Sequence, residues 1–379
     1  MAEKMKSVTV REAECAVTAS DGREVGRFPF FWLRDHCQCP DCLHPETRQR
    51  LLDTFSIPAD VKPRSATVVE DGAVLEIIWE PDGHASRFAS DFLAQVTSGW
   101  PSDAGEDRVL WDAATLARGL PEVACASFME NDAVLDEALR LLDRYGFVFV
   151  RGVEPTPEAT EAVARRIAYI RETIFGGFWD FTANMEHKDT AYTTLGIGLH
   201  TDGTYSFDAP GYQMFHCLAF DGTGGDSLLV DGFRVAEDMR TEVPDLYRVL
   251  TEVEVPGQYI DHARDIHLVA RLPIFRLDRD GRLVQIRYNN HDRAPFILEA
   301  DRMAAFYEAL AAFHRRINDP AYQFRKRLEP GEMLIFDNWR ALHGREAYEG
   351  FRRLAGAYLN KEDVESRLRV MRLNGRHRG

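Results

Sequence analysis

From residue 190 onward the chain alternates short apolar runs with turn-forming residues. Asp280-Gly281 joins two of these runs and Pro330-Gly331 precedes another; the runs include YQMFHCLAF, DSLLVDGF, LPIFRLD, RLVQIRY, MLIFD and LAGAYLN. Runs of this length between turn residues are typical of strands, and Asp-Gly is a frequent hairpin turn. Many short strands with irregular loops predict an antiparallel barrel or a double-sheet jelly roll. We therefore expect an α+β fold that is mainly β.

Four segments have the residue spacing of amphipathic helices. DAVLDEALRLLDRYG ends at Gly146, and Thr156-Pro157 begins the next helix with a cap residue and a proline in first position. The other two are DRMAAFYEALAAFHRRI, near residues 301–317, and KEDVESRLRVMR at the C-terminal end. We expect these last two helices to pack outside the strands.

The first hundred residues are a second segment rich in strand patterns. The runs SVTV, GREVGRFPFFWL, SATVV and AVLEIIWEPDGHASRF alternate with turns, and the polar stretch SGWPSDAGEDR follows. A chain of 379 residues is long enough for two domains. We predict a β-rich module over residues 1–97, a linker over 98–125 and a larger jelly-roll domain over 126–379.

The net charge of −15 restricts the partners of the chain. Such a protein is not expected to hold nucleic acid or an anionic membrane through a broad basic surface. One or two well-placed arginines would still bind a small anion. The N-terminal MAEKMKSVTVREAEC lacks the apolar run of a signal peptide, and no stretch reaches the roughly 20 apolar residues that span a bilayer. We therefore expect a cytoplasmic protein without nucleic-acid or membrane partners.

The stretch DHCQCPDCLH, residues 35–44, holds three of the six cysteines of the chain. In a reducing compartment we expect Cys37, Cys39 and Cys42 to bind a metal rather than to form disulfides. Zinc in a closed structural site takes four sulfur or nitrogen ligands, so this cluster needs one more. His36 and His44 are the local candidates, although one turn would then provide all four ligands. A closed site has no open position, so we expect no catalysis there.

GLHTDGTY places His200 and Asp202 two residues apart. On a strand, residues i and i+2 point to the same face, so an imidazole and a carboxylate can bind one ion together. His343, in FDNWRALHG after the run MLIF, is a candidate third ligand. Two histidines and one carboxylate on one face of a metal leave the opposite face open, which is the arrangement that non-haem Fe(II) oxygenases need.

An open metal face allows a 2-oxo acid to chelate beside O2, and the far carboxylate of such a cosubstrate then needs a counter-charge. Arg352, in FRRLAGAY, lies nine residues after His343 on the next predicted strand. Its planar guanidinium can hold a carboxylate through two parallel hydrogen bonds. Arg353 points to the opposite face if the strand is regular. Ser227, in GGDSLLVDG, could donate one further hydrogen bond to the carboxylate.

Four stretches together carry a family resemblance. HTDGTY, GTGGDSLLVDGF, RYNNHDRA and FDNWRALHGRE make the chain resemble the Fe(II)/2-oxoglutarate oxygenases of the carnitine pathway, γ-butyrobetaine hydroxylase and trimethyllysine hydroxylase, over nearly its whole length. The resemblance implies a double-stranded β-helix (jelly-roll) core, a homodimer and ascorbate as a reductant. It also implies Fe(II) on His200, Asp202 and His343, 2-oxoglutarate on Arg352, and His84 as the fourth ligand of a Zn(II) site.

The resemblance further implies a box of aromatic side chains around a trimethylammonium group. A permanent cation without an N–H donor cannot donate a conventional hydrogen bond, so ring faces attract it instead. The matching positions are Phe175 and Trp179 in IFGGFWDF, Tyr192 in DTAYTT, and Tyr358 in AGAYL. Phe175 stands where the family has a tyrosine, which removes a hydroxyl but keeps the ring face.

The other end of the expected substrate leaves more than one interpretation. Asp189 stands where γ-butyrobetaine hydroxylases have an asparagine, and an aspartate can accept from a substrate ammonium group. Arg287 in IRYNNHDR, with Asn289 and Asn290 beside it, offers donors for an anionic head group. Trimethyllysine, γ-butyrobetaine and a trimethylammonio-alkylphosphonate therefore stay open as substrates. The alternative for Arg287 is a surface arginine at the end of an amphipathic strand.

Two further questions stay open at the level of sequence. A non-catalytic metal-binding regulator would keep the cysteine cluster and have a broken triad or a basic binding face, and neither feature is seen. The C-terminal helix carries Val364, Leu368, Val370 and Met371. These side chains would either form a dimer interface or pack on the jelly roll of their own chain.

Overall fold

The structure is a computed structural model that describes residues 4–97, 107–181 and 193–377, with the backbone alone at residues 181 and 373–377. It divides into two units, Met1–Asp103 and Ala104–Gly379. Within the stretch predicted as a linker, residues 98–106 lie outside the described residues. The remainder contains a short helix and a strand of the second unit.

The first unit holds two three-stranded antiparallel sheets. One consists of β1 (Met5–Val10), β2 (Glu14–Ala19) and β3 (Glu24–Pro29), the other of β4 (Pro63–Val69), β5 (Val74–Trp79) and β6 (Ala85–Ala89). Helices α1 (Phe30–Asp35) and α2 (Ser90–Thr97) follow the last strand of each sheet. Alternate residues of β5, namely Leu75, Ile77 and Trp79, are fully buried in the core of this unit, as the two-residue period of a strand requires.

The helices of the second unit begin and end at residues that the sequence singled out. The 14-residue helix over 132–145 ends where Gly146 takes a left-handed φ of 76°, and the side chain of Thr156 accepts a hydrogen bond from the backbone N–H of Ala159. The helices are α3 (Ala113–Leu116), α4 (Cys125–Glu130), α5 (Asp132–Tyr145), α6 (Pro157–Ile167), α7 (Gly232–Glu242), α8 (Pro244–Glu252), α9 (Ala300–Ile317) and α10 (Lys361–His377).

The strands of the second unit pair almost entirely antiparallel. They are β7 (Glu122–Ala124), β8 (Phe147–Arg151), β9 (Ile170–Arg171), β10 (Phe178–Phe181), β11 (Ile197–His200), β12 (Tyr212–Gly224), β13 (Ser227–Asp231), β14 (Glu254–Asp261), β15 (Ile266–Pro273), β16 (Phe275–Leu277), β17 (Leu283–Ile286), β18 (Gln323–Lys326), β19 (Glu332–Asp337), β20 (Ala341–Arg345) and β21 (Tyr348–Leu359). The exception among the described pairs is β7, which runs parallel to β8.

Two sheets of this unit form the jelly roll. The larger has the order β10-β21-β12-β19-β8-β7, with β9 also on β21, and the smaller has the order β11-β20-β13-β18. The pairs β14-β15 and β16-β17 are separate hairpins. Strands from both sheets line one cavity, described below. The predicted fold, α+β and mainly β with a double-stranded β-helix and a small β-rich N-terminal domain, is confirmed.

The C-terminal helix packs on its own unit. Val364 and Leu368 of α10 are each 3 % exposed and belong to the same core cluster as residues of α5, α6 and β19. Val370, by contrast, is 46 % exposed. Within the described ranges, no helix has both the length and the apolar character that crossing a membrane would take.

Candidate active site

His200, Asp202 and His343 meet at one end of the smaller sheet. His200 is the last residue of β11 and lies in register with His343 on β20. Nε2 of His200 lies 3.2 Å from Oδ1 of Asp202, and Nε2 of His343 lies 3.6 Å from Oδ2 of the same carboxylate. The structure thus brings together three side chains that are up to 143 residues apart in sequence, the separation of His200 and His343.

Asp202 is held by a turn rather than by the strand. Because β11 ends at His200, the i, i+2 argument does not place the carboxylate. Asn338, which is 1 % exposed, does so instead: its Oδ1 accepts from the backbone N–H of Asp202 at 2.8 Å, and its Nδ2 donates to the Asp202 carbonyl at 3.1 Å. Nδ2 also donates to the carbonyl of Pro210 at 2.9 Å. Sequence reasoning missed this residue, although it lies in the quoted stretch FDNWRALHG.

The electrostatics of the three side chains suit a divalent cation. Nδ1 of His200 lies 2.8 Å from the carbonyl of Gly198, which places the proton on Nδ1 and leaves Nε2 as a ligand. Burial alone would raise the pKa of Asp202, but His343 and His200 outweigh it and hold that pKa well below its usual range. Burial, and then the charge of His200, lowers the pKa of His343 to about 3. Burial alone would lower the pKa of His200, but the hydrogen bond and the charge of Asp202 outweigh it and raise that pKa. Fe(II) and related divalent ions bind a carboxylate and neutral imidazoles, so a bound metal would displace a proton from Nε2 of His200.

One cavity of about 410 Å³ contains these three side chains. It is large enough for a small zwitterion and a dicarboxylate together, since ligand sites commonly measure about 300–1,000 Å³. Besides the triad, the predicted residues that line it are Phe175, Trp179, Ser227, Asn289, Arg352 and Tyr358. Further lining residues that the sequence did not single out include Tyr205, Gln213, Phe215, Tyr259, Asp292 and Arg345.

Arg352 brings an uncompensated charge to this cavity. It is 8 % exposed, and no carboxylate among the described residues forms an ion pair with it. Burial, and then the nearby charge of Arg345, lowers its pKa to about 10. Arg353 lies on the other face of β21, where its Nε donates to Oδ1 of Asp180 at 3.0 Å. The predicted alternation of the two arginines is therefore present, and Arg352 alone of this pair lines the cavity.

Arg345 is a second guanidinium in the same cavity. It lies in register with Ser227 across the β13–β20 pair. Its Nη2 donates to the backbone carbonyls of Thr193 and Leu195, each at 2.7 Å. Ser227 and Arg345 thus approach the cavity from adjacent strands, while Arg352 approaches it from the larger sheet.

Aromatic rings form another wall of the cavity. The indole of Trp179 lies against Gly356: a Cβ added there would lie 2.2 Å from Cζ3 of the indole and 2.0 Å from the carbonyl of Met214. The ring of Tyr358 meets the indole edge to face at 5.7 Å between centroids. Phe175 packs against Tyr259 at 6.1 Å. The absence of a side chain at Gly356 therefore leaves the space that the indole of Trp179 occupies.

The remaining predicted substrate contacts divide into three groups. Asp189 and Tyr192 lie outside the described residues. Asn289 lines the cavity, and its Nδ2 donates to Oδ2 of Asp292 at 2.8 Å. Arg287 and Asn290, in contrast, line a second, smaller cavity, which shares Asn289 with the first. Since neither residue lines the cavity that contains the triad, their contact with the substrate stays a prediction.

The cysteine cluster of the first unit has the geometry of a closed metal site. Sγ of Cys37 lies 3.3 Å from Nε2 of His84, and Sγ of both Cys39 and Cys42 lies 3.6 Å from the same atom. Tetrahedral zinc, with Zn–S of about 2.3 Å and Zn–N of about 2.0–2.1 Å, separates sulfur and nitrogen ligands by about 3.5–3.6 Å. Nη1 of Arg34 donates to Sγ of Cys42 at 3.4 Å. These four donors fit Zn(II).

His36 and His44, the two histidines beside the cysteines in sequence, make other contacts. Nδ1 of His36 lies 2.8 Å from the carbonyl of Trp32, and Nδ1 of His44 accepts from the backbone N–H groups of Glu46 and Thr47. His84 comes instead from the turn between β5 and β6, so the cluster joins two distant parts of the unit. Burial, and then the charge of Arg34, lowers the pKa of His84 and keeps its imidazole neutral.

Comparison with known proteins gives two family matches. Residues 113–358 match the taurine catabolism dioxygenase TauD, TfdA family, and residues 8–94 match the gamma-butyrobetaine hydroxylase-like N-terminal family. Trimethyllysine dioxygenase, mitochondrial, of Gallus gallus is 40% identical over 353 residues, which cover 92% of this chain and 84% of that protein. Trimethyllysine dioxygenase of Meyerozyma guilliermondii is 37% identical over 371 residues (93% and 92%). Gamma-butyrobetaine dioxygenase of Pseudomonas sp. strain AK-1 is 35% identical over 361 residues (94% and 93%).

Proposed function

Because this chain belongs to the taurine catabolism dioxygenase TauD, TfdA family and is an Fe(II)/2-oxoglutarate-dependent dioxygenase, we propose that it hydroxylates a C–H bond of a small trimethylammonium zwitterion. The observation that carries the proposal is one cavity with three distinct walls: the His200, Asp202 and His343 triad, the buried Arg352, and the aromatic wall of Trp179. Relatives named for trimethyllysine and gamma-butyrobetaine support this substrate class.

In this proposal the triad holds the iron. His200, Asp202 and His343 would occupy one face of Fe(II). The bound iron would supply the chemistry by which O2 oxidises 2-oxoglutarate to succinate and CO2 while one oxygen atom is transferred to the substrate. The turn fixed by Asn338 keeps the carboxylate of Asp202 in place. In the first unit, Cys37, Cys39, Cys42 and His84 would hold Zn(II) as a structural ion.

Arg352 would bind the far carboxylate of 2-oxoglutarate. A buried guanidinium without a carboxylate partner costs stability, and a dicarboxylate that enters the cavity offsets this cost with two charge-assisted hydrogen bonds. Ser227 would donate a third bond from the neighbouring sheet. Arg345 adds positive charge on the same side, which favours a doubly charged cosubstrate over a monocarboxylate.

The aromatic wall would hold the trimethylammonium group. Phe175, Trp179 and Tyr358 line the cavity, and the predicted Tyr192 would complete the set. Ring quadrupoles attract a desolvated cation by about 2 kcal/mol or more per favourable contact. The cation would be fixed at this wall and the opposite end of the substrate at the polar end of the cavity. Together these two contacts would position one carbon near the metal, which determines which C–H bond reacts.

The polar end of the cavity favours trimethyllysine over γ-butyrobetaine. Asp292 and Asn289 line the cavity together, and a carboxylate there would accept from the α-ammonium group that trimethyllysine has and γ-butyrobetaine lacks. Asp189 stays a predicted contact of the same kind. The trimethylammonio-alkylphosphonate alternative depended on Asp189 together with Arg287. Because Arg287 does not line the cavity with the triad, we rank this substrate third.

A succinate-release assay ranks the three substrates. The purified protein, supplied with Fe(II), 2-oxoglutarate and O2, is given trimethyllysine, γ-butyrobetaine or a trimethylammonio-alkylphosphonate at equal concentration. We expect the highest rate with trimethyllysine. Unmethylated lysine is the matched control for the aromatic wall. If none of the three compounds raises the rate above the rate without substrate, the proposed substrate class is wrong.

A non-catalytic regulator predicts a broken triad, and the complete triad argues against it. We propose a homodimer, although Val364 and Leu368 pack within their own unit and would not form its interface. We also keep the cytoplasm as the proposed location, although several animal relatives carry the word mitochondrial in their names.

A further inference from the structure

A second cavity in the oxygenase unit has an unusual concentration of positive charge. It measures about 20 Å³, and its lining includes Thr204, Arg287, Asn290 and Arg293 among apolar side chains such as Leu272. A volume of this size has room for one water molecule or one monoatomic ion. Neither 2-oxoglutarate nor a trimethylammonium substrate would fit in it.

Arg287 is buried here without a counter-ion. It is 5 % exposed, and no carboxylate among the residues described forms an ion pair with it. Its Nη2 donates to the carbonyls of Thr204 at 2.8 Å and Ser206 at 2.7 Å, whereas its Nη1 is buried and lacks a hydrogen-bond partner. Burial, and then the charge of Arg276, lowers its pKa to about 10. An uncompensated buried charge of this kind is strongly destabilising.

Two neighbouring residues also have a buried donor atom without a hydrogen-bond partner. Nη1 of Arg293 and Oγ1 of Thr204 are buried atoms without a hydrogen-bond partner among the described residues. The guanidinium of Arg293 lies 5.6 Å from the ring centroid of Tyr307, and no described carboxylate pairs with it. Buried polar atoms in native proteins nearly always have a partner. Three unpartnered donor groups on residues around one cavity therefore indicate a bound acceptor.

We propose that this cavity binds one small monovalent anion of the chloride type. The anion accepts hydrogen bonds from Nη1 of Arg287, Nη1 of Arg293 and the hydroxyl of Thr204. A water molecule would satisfy some of these donors, but it would neutralise neither guanidinium. Since Arg287 also holds the carbonyls of Thr204 and Ser206, the anion stabilises the turn that directly follows Asp202. Asn289 lines both cavities, but none of the three proposed anion donors lines the cavity with the triad, so the anion site does not depend on the identity of the substrate.

Bromide serves as the probe because its anomalous scattering identifies it in a crystal. Crystals of the full chain grown without halide are soaked in sodium bromide, and we expect an anomalous peak within hydrogen-bond distance of Arg287 and Arg293. A cavity that contains only water after the soak would overturn the proposal.

Thermal unfolding in solution tests the same site independently. The full chain is titrated with sodium bromide or chloride against sodium gluconate at constant ionic strength, and we expect a saturable rise in the unfolding temperature. Thr204→Val removes one donor while keeping the side-chain volume, and Arg293→Gln removes one charge. Each should weaken the apparent halide affinity about tenfold, as the loss of one charge-assisted hydrogen bond does. The exposed Arg282→Gln is the matched control and should respond like the wild type. Equal responses of all four proteins would overturn the proposal.

Discussion

The phenol of Tyr358 donates a hydrogen bond of 2.8 Å to Oδ2 of Asp202. Tyr358 lies on β21 of the larger sheet, whereas Asp202 lies in the turn after β11 of the smaller sheet. One side chain therefore contributes a ring to the aromatic wall and a hydroxyl that orients the proposed iron-binding carboxylate. The proposed metal and substrate sites share a residue, so a substitution there separates the two functions.

Tyr358→Phe keeps the ring and removes the hydroxyl. We expect Fe(II) affinity to fall about tenfold or more, because the hydrogen-bond partner of a metal ligand is worth about 10–100-fold in affinity. The KM for substrate should stay within about twofold of the wild type. Titration of the metal-free protein with Fe(II) under anaerobic conditions measures the first quantity. Unchanged metal affinity would show that the hydroxyl does not hold the carboxylate.

Arg352 and Arg353 are neighbours on opposite faces of one strand, which makes them a matched pair. Arg352→Gln should raise the dissociation constant of 2-oxoglutarate at least about thirtyfold, since losing one partner of a buried charge pair costs about 2 kcal/mol or more. Arg353→Gln loses only the partly exposed ion pair with Asp180 and should change that constant less than about twofold. Calorimetric titration of both variants measures the difference. Equal effects would mean that Arg352 acts through the fold of the strand.

Trp179→Leu removes the indole that lies over Gly356. We expect a higher KM for the trimethylammonium substrate, by roughly thirtyfold from a loss of about 2 kcal/mol. The affinity for 2-oxoglutarate should stay unchanged, because its proposed ligands Arg352 and Ser227 lie on other strands. Substrate kinetics and 2-oxoglutarate titration on the same preparation separate the two effects. Parallel loss of both affinities would identify Trp179 as a core residue.

Removal of zinc should act on the first unit alone. Cys39→Ser removes one of the four proposed ligands, and we expect faster hydrogen exchange over residues 4–97 because a structural zinc site contributes folding free energy. Cys125→Ser, which lies outside the cluster, is the control. Chelation of iron should instead stop turnover without a change in exchange. Zinc content below one ion per chain in the wild type would contradict this account.

The sequence predicted the parts of the site that follow from donor type and strand periodicity. His200, Asp202 and His343 are the ligand types of an open iron site, and alternation along a regular strand correctly separated Arg352 from Arg353. Periodicity failed where strands end. Asp202 lies beyond β11 and depends on Asn338, a partner 136 residues away.

The wall residues were harder to predict for a related reason. Tyr259 lies on a separate hairpin, so its position depends on how that hairpin packs on the jelly roll rather than on a local pattern. Arg287 follows the last residue of β17, and its guanidinium turns toward the carbonyls of Thr204 and Ser206. Its charge indicated donors for the anionic head of a substrate, whereas the structure places Arg287 in the lining of the second cavity.

Product analysis with labelled oxygen tests the central claim most directly. The protein is incubated with Fe(II), 2-oxoglutarate, trimethyllysine and ¹⁸O2, and the substrate and succinate are then measured by mass spectrometry. We predict a hydroxylated product that carries one ¹⁸O atom, formed in equal amount to the substrate-dependent succinate. His343→Ala should form neither. Succinate that accumulates without any hydroxylated trimethylammonium product, with this substrate or with γ-butyrobetaine, would contradict the account.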